Sequence, residues 1–227
     1  MTTDATAPGS ASLPGPGAPG GGTTEALRIA ILRLSAEQHV DRLSVAQIAA
    51  VADIHRVTFY DHARSPSALL ARVVGDELDA VHAAYLASSY INDHSLAEAI
   101  RHTSMAIAAL VDSHSAIFEH LLAESSRTTA HDLLAPHFEA SVIALIDHRD
   151  QSAPGDGQGR QMEAASAHSA LARSALARYV AYGSVGAIEV WFAAGTASAS
   201  ASAPGVARDP EEYYALIEPL LPRWLVA

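Results

Sequence analysis

Cysteine and lysine are both absent from this 227-residue chain, and aromatic residues make up only 6% of it. Without cysteine there is neither a disulfide framework nor a thiolate metal site. Without lysine, all 14 basic residues are arginines. Few aromatics beside abundant alanine favour helices. Uncharged apolar runs are also short. The best stretch, Leu171 to Gly195, contains Arg173, Arg178 and Glu189, whereas a membrane span needs about 20 predominantly apolar residues. Nothing before Arg28, the first basic residue, forms the apolar segment of a secretory signal. The expectation is a cytoplasmic protein without membrane contact. No H-E-x-x-H, G-x-S-x-G or phosphate-cradling glycine loop occurs. Of the 12 histidines, His114 and His120 are six apart, which does not place them on one helical face, and His131, Asp132 and His137 are no better spaced. No cofactor, metal or enzymatic activity is expected.

What is present is a hydrophobic fraction of 49%, enough for a substantial core, and a net charge of −11. The charge is unevenly spread. Residues 24–64 carry Arg28, Arg33, Arg42, Arg56 and Arg64 against Glu25, Glu37, Asp41, Asp53 and Asp61, and are neutral. The acidic excess lies after them.

Residues 1–22 hold four prolines and six glycines, cannot bury apolar area and read as a disordered tail. Thr23 or Thr24 can cap a first helix on which Leu27, Ala30, Ile31 and Leu34 recur at helical spacing. From Leu43 to Leu70 the pattern is two short helices around a tight turn, then a third helix. Ser44 and Gln47 form a capping box. Asp53 falls at the turn, and aspartate tolerates a left-handed backbone. Ile54 and Phe59 face inward on the second helix. Helix–tight turn–helix is the plan of a helix-turn-helix, whose second helix enters the major groove of DNA.

The segment resembles the helix-turn-helix of the TetR family of bacterial transcriptional regulators. Ser44, Ile48, Ala49, Ala52, Ile54, Thr58, Phe59, Tyr60, His62 and Leu69 match that family's pattern. Three positions depart from it: Asp53 replaces the turn glycine, Ala63 an aromatic and Pro66 a phosphate-gripping lysine. The resemblance implies an all-α fold, with a three-helix DNA-binding head over 23–70 and an effector-binding and dimerisation body over 71–227. It implies a repressor released by a small-molecule effector, a homodimer on a palindromic double-stranded operator. A metal-responsive regulator is a variant of this. The rival is a helical protein-interaction module of the same fold with weakened or lost DNA binding, which Asp61, Ala63 and Pro66 favour.

Arg56 is the expected base reader, because arginine pairs bidentately with guanine. Val57 suits a thymine methyl and His55 a secondary contact. Thr58, Tyr60, His62 and Arg64 are expected at phosphates, and Ser44 as well while it caps. Asp61 stands where it would repel phosphate unless turned away or paired.

Pro66 opens a long fourth helix carrying Leu69, Leu70, Val73, Val74, Leu78 and Val81, with Gly75 weakening it. A loop at 92–94 precedes the Ser95/Glu98 capping box and a helix to about Val111. Residues 112–115 break it, a short amphipathic helix follows, and another runs from Thr128 or Thr129 to about His148 through Pro136, which is expected to kink it. A plain core and a pocket both fit these helices. The resemblance implies an effector pocket, with His102, Met105, Phe118, Leu122, Phe138 and Tyr182 as candidate lining. After a linker over 151–160, a helix from about Gln161 to Ala194 and a last helix begun by Asp209-Pro210 resemble the family's dimerisation pair. Tyr179, Gly183, Gly186, Val190, Leu216 and Leu220 are the candidate interface.

Overall fold

The computed structural model describes residues 21–85, 95–123, 129–152, 162–199 and 208–223. The fold is all-α. The helices are α1 (Gly21–Glu37), α2 (Val45–Val51), α3 (Arg56–His62), α4 (Pro66–Tyr85), α5 (Leu96–Ser113), α6 (Ser115–Ala123), α7 (Ala130–Ser152), α8 (Met162–Ala199) and α9 (Pro210–Ile217), with short 3-10 turns at Val40–Arg42 and Glu218–Leu220.

Local chemistry sets the helix ends. Ser44 accepts from the Gln47 amide at 3.2 Å while its own amide donates to Gln47 Oε1 at 2.9 Å. Ser95 and Glu98 repeat this box at α5, and Thr129 and Asp132 repeat it at α7. Each box satisfies two amides that have no partner inside the helix. Pro66 is the first residue of α4, where its missing N–H costs nothing, and Ser65 Oγ accepts from the Ala68 amide. Asp209 caps α9 through the Glu211 amide.

Some boundaries differ from the sequence expectation. α1 already begins at Gly21, so Thr23 and Thr24 sit in its first turn and do not cap it. Residues 1–20 of the expected tail, the loop at 92–94 and most of the 151–160 linker lie outside the described residues. Only His114 separates α5 from α6. α7 continues through Pro136 to Ser152. α8 runs on to Ala199, five residues past the expected end. Its Gly195 is covered by Arg208, whose Cγ and Cδ stand 2.9 Å from where a Cβ would be. The Arg208 guanidinium lies over the Phe192 ring and donates to Asp112 Oδ1 at 2.8 Å. One side chain thus ties α5, α8 and the start of α9.

Head and body share one continuous core. It runs from Leu27, Ile31, Ile48 and Phe59 through Leu70, Val74 and Leu78 to Phe118, Leu134, Ile188 and Tyr213. α4 is its spine, packing against α1, α5 and α7. At Gly75 the imidazole of His137 approaches to 2.6 Å of the missing Cβ position. That glycine is therefore more than a weak spot in α4, since it lets α7 lie close. Glu77 of α4 links head to body: Oε1 accepts from Arg28 of α1 at 3.2 Å, and Oε2 is 2.6 Å from His114 Nε2. A second small cluster, Val142, Ile146, Ala177 and Val180, joins α7 to α8. Among the described residues no helix is long and apolar enough to cross a membrane.

Candidate nucleic-acid interface and body cavity

The turn between α2 and α3 is a Schellman arrangement. The Ile54 amide donates to Ala49 O at 3.0 Å, and the Asp53 amide to Ala50 O at 3.4 Å. This places Asp53 at φ +52°, the one non-glycine residue with positive φ among those described. Asp53 therefore does the work of a turn glycine, at the cost of a left-handed backbone that few side chains accept.

The turn aims α3 outward. Phe59 is fully buried and Ile54 packs against the core. Rotation by about 100° per residue then puts Arg56, Val57, Tyr60 and Asp61 on the solvent side, and all four are exposed. Val57 is 75% and Tyr60 57% exposed, a large apolar outlay for a seven-residue helix unless a partner covers it. His55 is exposed at the N-cap of α3 without a capping hydrogen bond, and Arg64 is exposed just beyond the helix. Thr58 and His62 are half-buried at its flank, and Ser44 is exposed at the start of α2. Seven of the eight candidates thus gather on or beside one helix. Arg56 and Arg64 form no ion pair among the described residues, whereas Arg28 is engaged with Glu25 and Glu77. Asp61 is exposed and has no ion-pair partner among the described residues.

One positioning group was not singled out from the sequence. Arg72 of α4 donates from Nη1 to the His62 carbonyl at 2.7 Å, closing the C-terminal end of α3. An arginine six residues into α4 carries no sequence signal for that role.

The candidate effector residues are not brought together. α5 buries Ile100, Thr103, Ser104, Ile107 and Val111, so His102 and Met105 fall on another face and line a surface hollow with Tyr85 and Pro210. Phe118 is packed into the main core. Leu122 lines a groove with His131, Glu189 and Phe192. Tyr182 is exposed and stacks on His131 at 5.2 Å. Phe138 alone of the six lines a half-open pocket in the body, a space of about 60 Å³ among α4, α5, α7, α8 and α9. Its walls are otherwise apolar (Ile107, Val142, Leu145 and Ile217 among them) but include His82, Thr103, Ser104, Ser141, Ser184 and Tyr213. Burial pushes the His82 imidazole down to about 4, with Asp79 opposing the shift and His137 adding to it. Burial also pushes the Tyr213 hydroxyl up. The available signal was the pair Thr103-Ser104 on the otherwise apolar face of α5.

No family model matches the chain, and no curated protein matches it by sequence. Among solved structures it superposes on the "Dihydroxyacetone kinase operon activator DhaS" with a TM-score of 0.51, over 87% of this chain and 93% of that one, at 15% identity. At that identity the likeness shows a shared all-α fold.

In this fold, α8 keeps an apolar stripe uncovered. Tyr179, Gly183, Gly186 and Val190 recur at i, i+4, i+7 and i+11. Tyr179 and Val190 are exposed, and so are Leu216 in α9 and Leu220 just after it. A groove of about 610 Å³ runs between α8 and the segment after α9, lined by Tyr179, Tyr182, Gly183, Ile217, Leu220 and Leu221. A Cβ at Gly183 or Gly186 would meet nothing within 4 Å, so the space above both glycines is free in the single chain.

Proposed function

We propose that this protein is a sequence-specific, DNA-binding transcription regulator and not an enzyme. It acts as a homodimer on a palindromic operator, repressing until a small molecule enters the body. The observation that carries this is the outer face of α3: exposed Arg56, without an ion pair among the described residues, beside exposed Val57 and Tyr60, held out by a buried Phe59 and a Schellman turn. Arg56 reads guanine and Val57 a thymine methyl. Thr58, Tyr60, His62, Arg64 and Ser44 contact the sugar-phosphate backbone, and His55 sits at the edge. The likeness to an operon activator supports the fold on which this rests.

A seven-residue helix reads few base pairs, so two heads acting together gain both specificity and affinity. The stripe Tyr179, Gly183, Gly186, Val190, Leu216 and Leu220 supports a second copy docking there, since glycines let helices approach closely. The neutral head gives few phosphate contacts, which implies a shallow salt dependence of binding. The acidic body stays off the duplex.

One observation favours a second function, an interaction module of the same fold without DNA binding: Asp61 is exposed on the same face as Arg56 with no cation pairing it among the described residues. A gel shift with the DNA flanking the protein's own gene, together with sedimentation, decides between them. A retarded dimer complex supports the regulator. A folded dimer that shifts no fragment even at low salt supports the interaction module.

A further inference from the structure

Glu77 of α4 gives its two carboxylate oxygens to two different parts of the molecule. Oε1 accepts from Arg28 Nη1, on α1 of the head, at 3.2 Å. Oε2 lies 2.6 Å from His114 Nε2. An ionised carboxylate only accepts, so this ring nitrogen carries the proton. All three residues are half-buried, where charge-assisted hydrogen bonds are screened less than on the open surface.

His114 is a pivot. It is the single residue between α5 and α6, with non-helical backbone angles of φ −106° and ψ 26°. Its amide donates to the Leu110 and Val111 carbonyls of α5, and its carbonyl accepts from the Ile117 and Phe118 amides of α6. A change in the angle between these helices therefore turns His114 and pulls on Glu77. Beyond the pivot, α6 packs on α1, in the core that holds Leu27, Ile31 and Phe118. Apolar packing has no preferred direction, so it keeps the head on the body without fixing its angle. Hydrogen bonds are directional, and the two on Glu77 can fix it.

We infer that Glu77 is a positioning residue: it passes the angle at His114 to α1 and so sets the orientation of the reading head. Granted that α3 reads DNA in a dimer, as proposed, this orientation sets the separation of the two half-sites. A head shift on the order of 1–2 Å is an ordinary helix movement. Made in opposite senses by two heads, it approaches one base-pair step of roughly 3.4 Å. Glu77 then decides operator spacing from outside α3.

The test reads distances in the full chain without DNA. The chain has no cysteine, so spin labels attach only where one is introduced. Ala46 of α2 and Ala109 of α5 are exposed, and Ala46→Cys with Ala109→Cys gives a head-to-body pair. Dilution with unlabelled chain restricts the reading to one protomer. The parent should show one narrow distance. Arg28→Met cuts the head arm, His114→Leu the body arm and Glu77→Met both. Each should widen the distribution on the order of 1–2 Å, and equally, because one broken arm already breaks the link. Arg28→Met with His114→Leu should widen it no further, whereas independent contacts add. Arg101→Met removes an ion pair between α5 and α9 and should change nothing. Melting curves report folding, and if His114→Leu does not fold, Arg28→Met and Glu77→Met decide. On duplexes whose half-sites are one base pair too far apart, the parent should lose about a hundredfold in affinity and Arg28→Met about tenfold or less. A parent that binds no operator defeats the DNA reading of α3, and the distances still decide the role of Glu77. Unchanged distances in Arg28→Met and Glu77→Met, additive widening in the double variant, or an unchanged spacing preference on DNA would overturn the inference.

Discussion

Arg72 of α4 donates to the backbone carbonyl of His62 at 2.7 Å and so fastens the last turn of α3 to the spine of the molecule. A carbonyl at a helix C-terminus carries partial negative charge, and a cation there satisfies it. Arg72→Met keeps most of the stem and removes the donor. The expected loss of stability is about 1–3 kcal/mol, read by urea denaturation. Amide exchange should quicken in residues 59–63 and stay unchanged in α7. Equal exchange in α3 would show that the bond does not position the helix.

The left-handed Asp53 gives a prediction of opposite signs for two small substitutions. Asp53→Ala keeps a Cβ but loses the side chain that eases positive φ, and should cost about 1 kcal/mol. Asp53→Gly fits φ +52° without steric penalty and should be neutral or slightly stabilising. Thermal melts of the two variants against the parent check the difference.

Glycines on one helix should respond differently. By helix propensity alone, Gly→Ala gains about 1 kcal/mol. At Gly195 the new Cβ would stand 2.6 Å from Arg208 Nε, and Arg208 is held by Asp112 and Phe192. Gly195→Ala should therefore destabilise by about 1–3 kcal/mol. At Gly183 a side chain meets open space in the single chain. Gly183→Gln should leave the folded monomer intact yet shift sedimentation from dimer to monomer, because it fills the gap into which a second copy would pack.

His82 makes stability depend on pH. Its folded-state value, about 4, lies below the unfolded value of about 6.5, so between these the unfolded chain binds more protons and stability rises with pH. The contribution is complete above pH about 6.5 and is lost as pH falls towards 4, by roughly 3 kcal/mol. His82→Gln should flatten the stability profile across that window. An unchanged slope would mean that His82 is not buried neutral.

Short-range chemistry was readable from the sequence. The boxes at Ser44/Gln47 and Ser95/Glu98, the proline start at Pro66 and the turn at Asp53 each involve residues within a few positions, and local sterics decide them. The outward face of α3 followed from the burial of Phe59. The effector residues did not, because their placement depends on the phase of α5: a shift of one position moves a side chain about 100° around the helix, enough to send His102 and Met105 away from Thr103 and Ser104. Arg72 with His62, Arg208 with Asp112 and His137 on Gly75 pair residues far apart in the chain or on separate helices. No spacing rule announces such contacts.

Whether the outer face of α3 reads DNA is tested most directly by the affinity of the parent protein and of Arg56→Ala for the DNA flanking its gene, taken at one salt concentration beside their melting curves. A loss of about 1–3 kcal/mol in binding with an unchanged melting temperature is the result expected. Equal affinity and an identical footprint for the two proteins would contradict it.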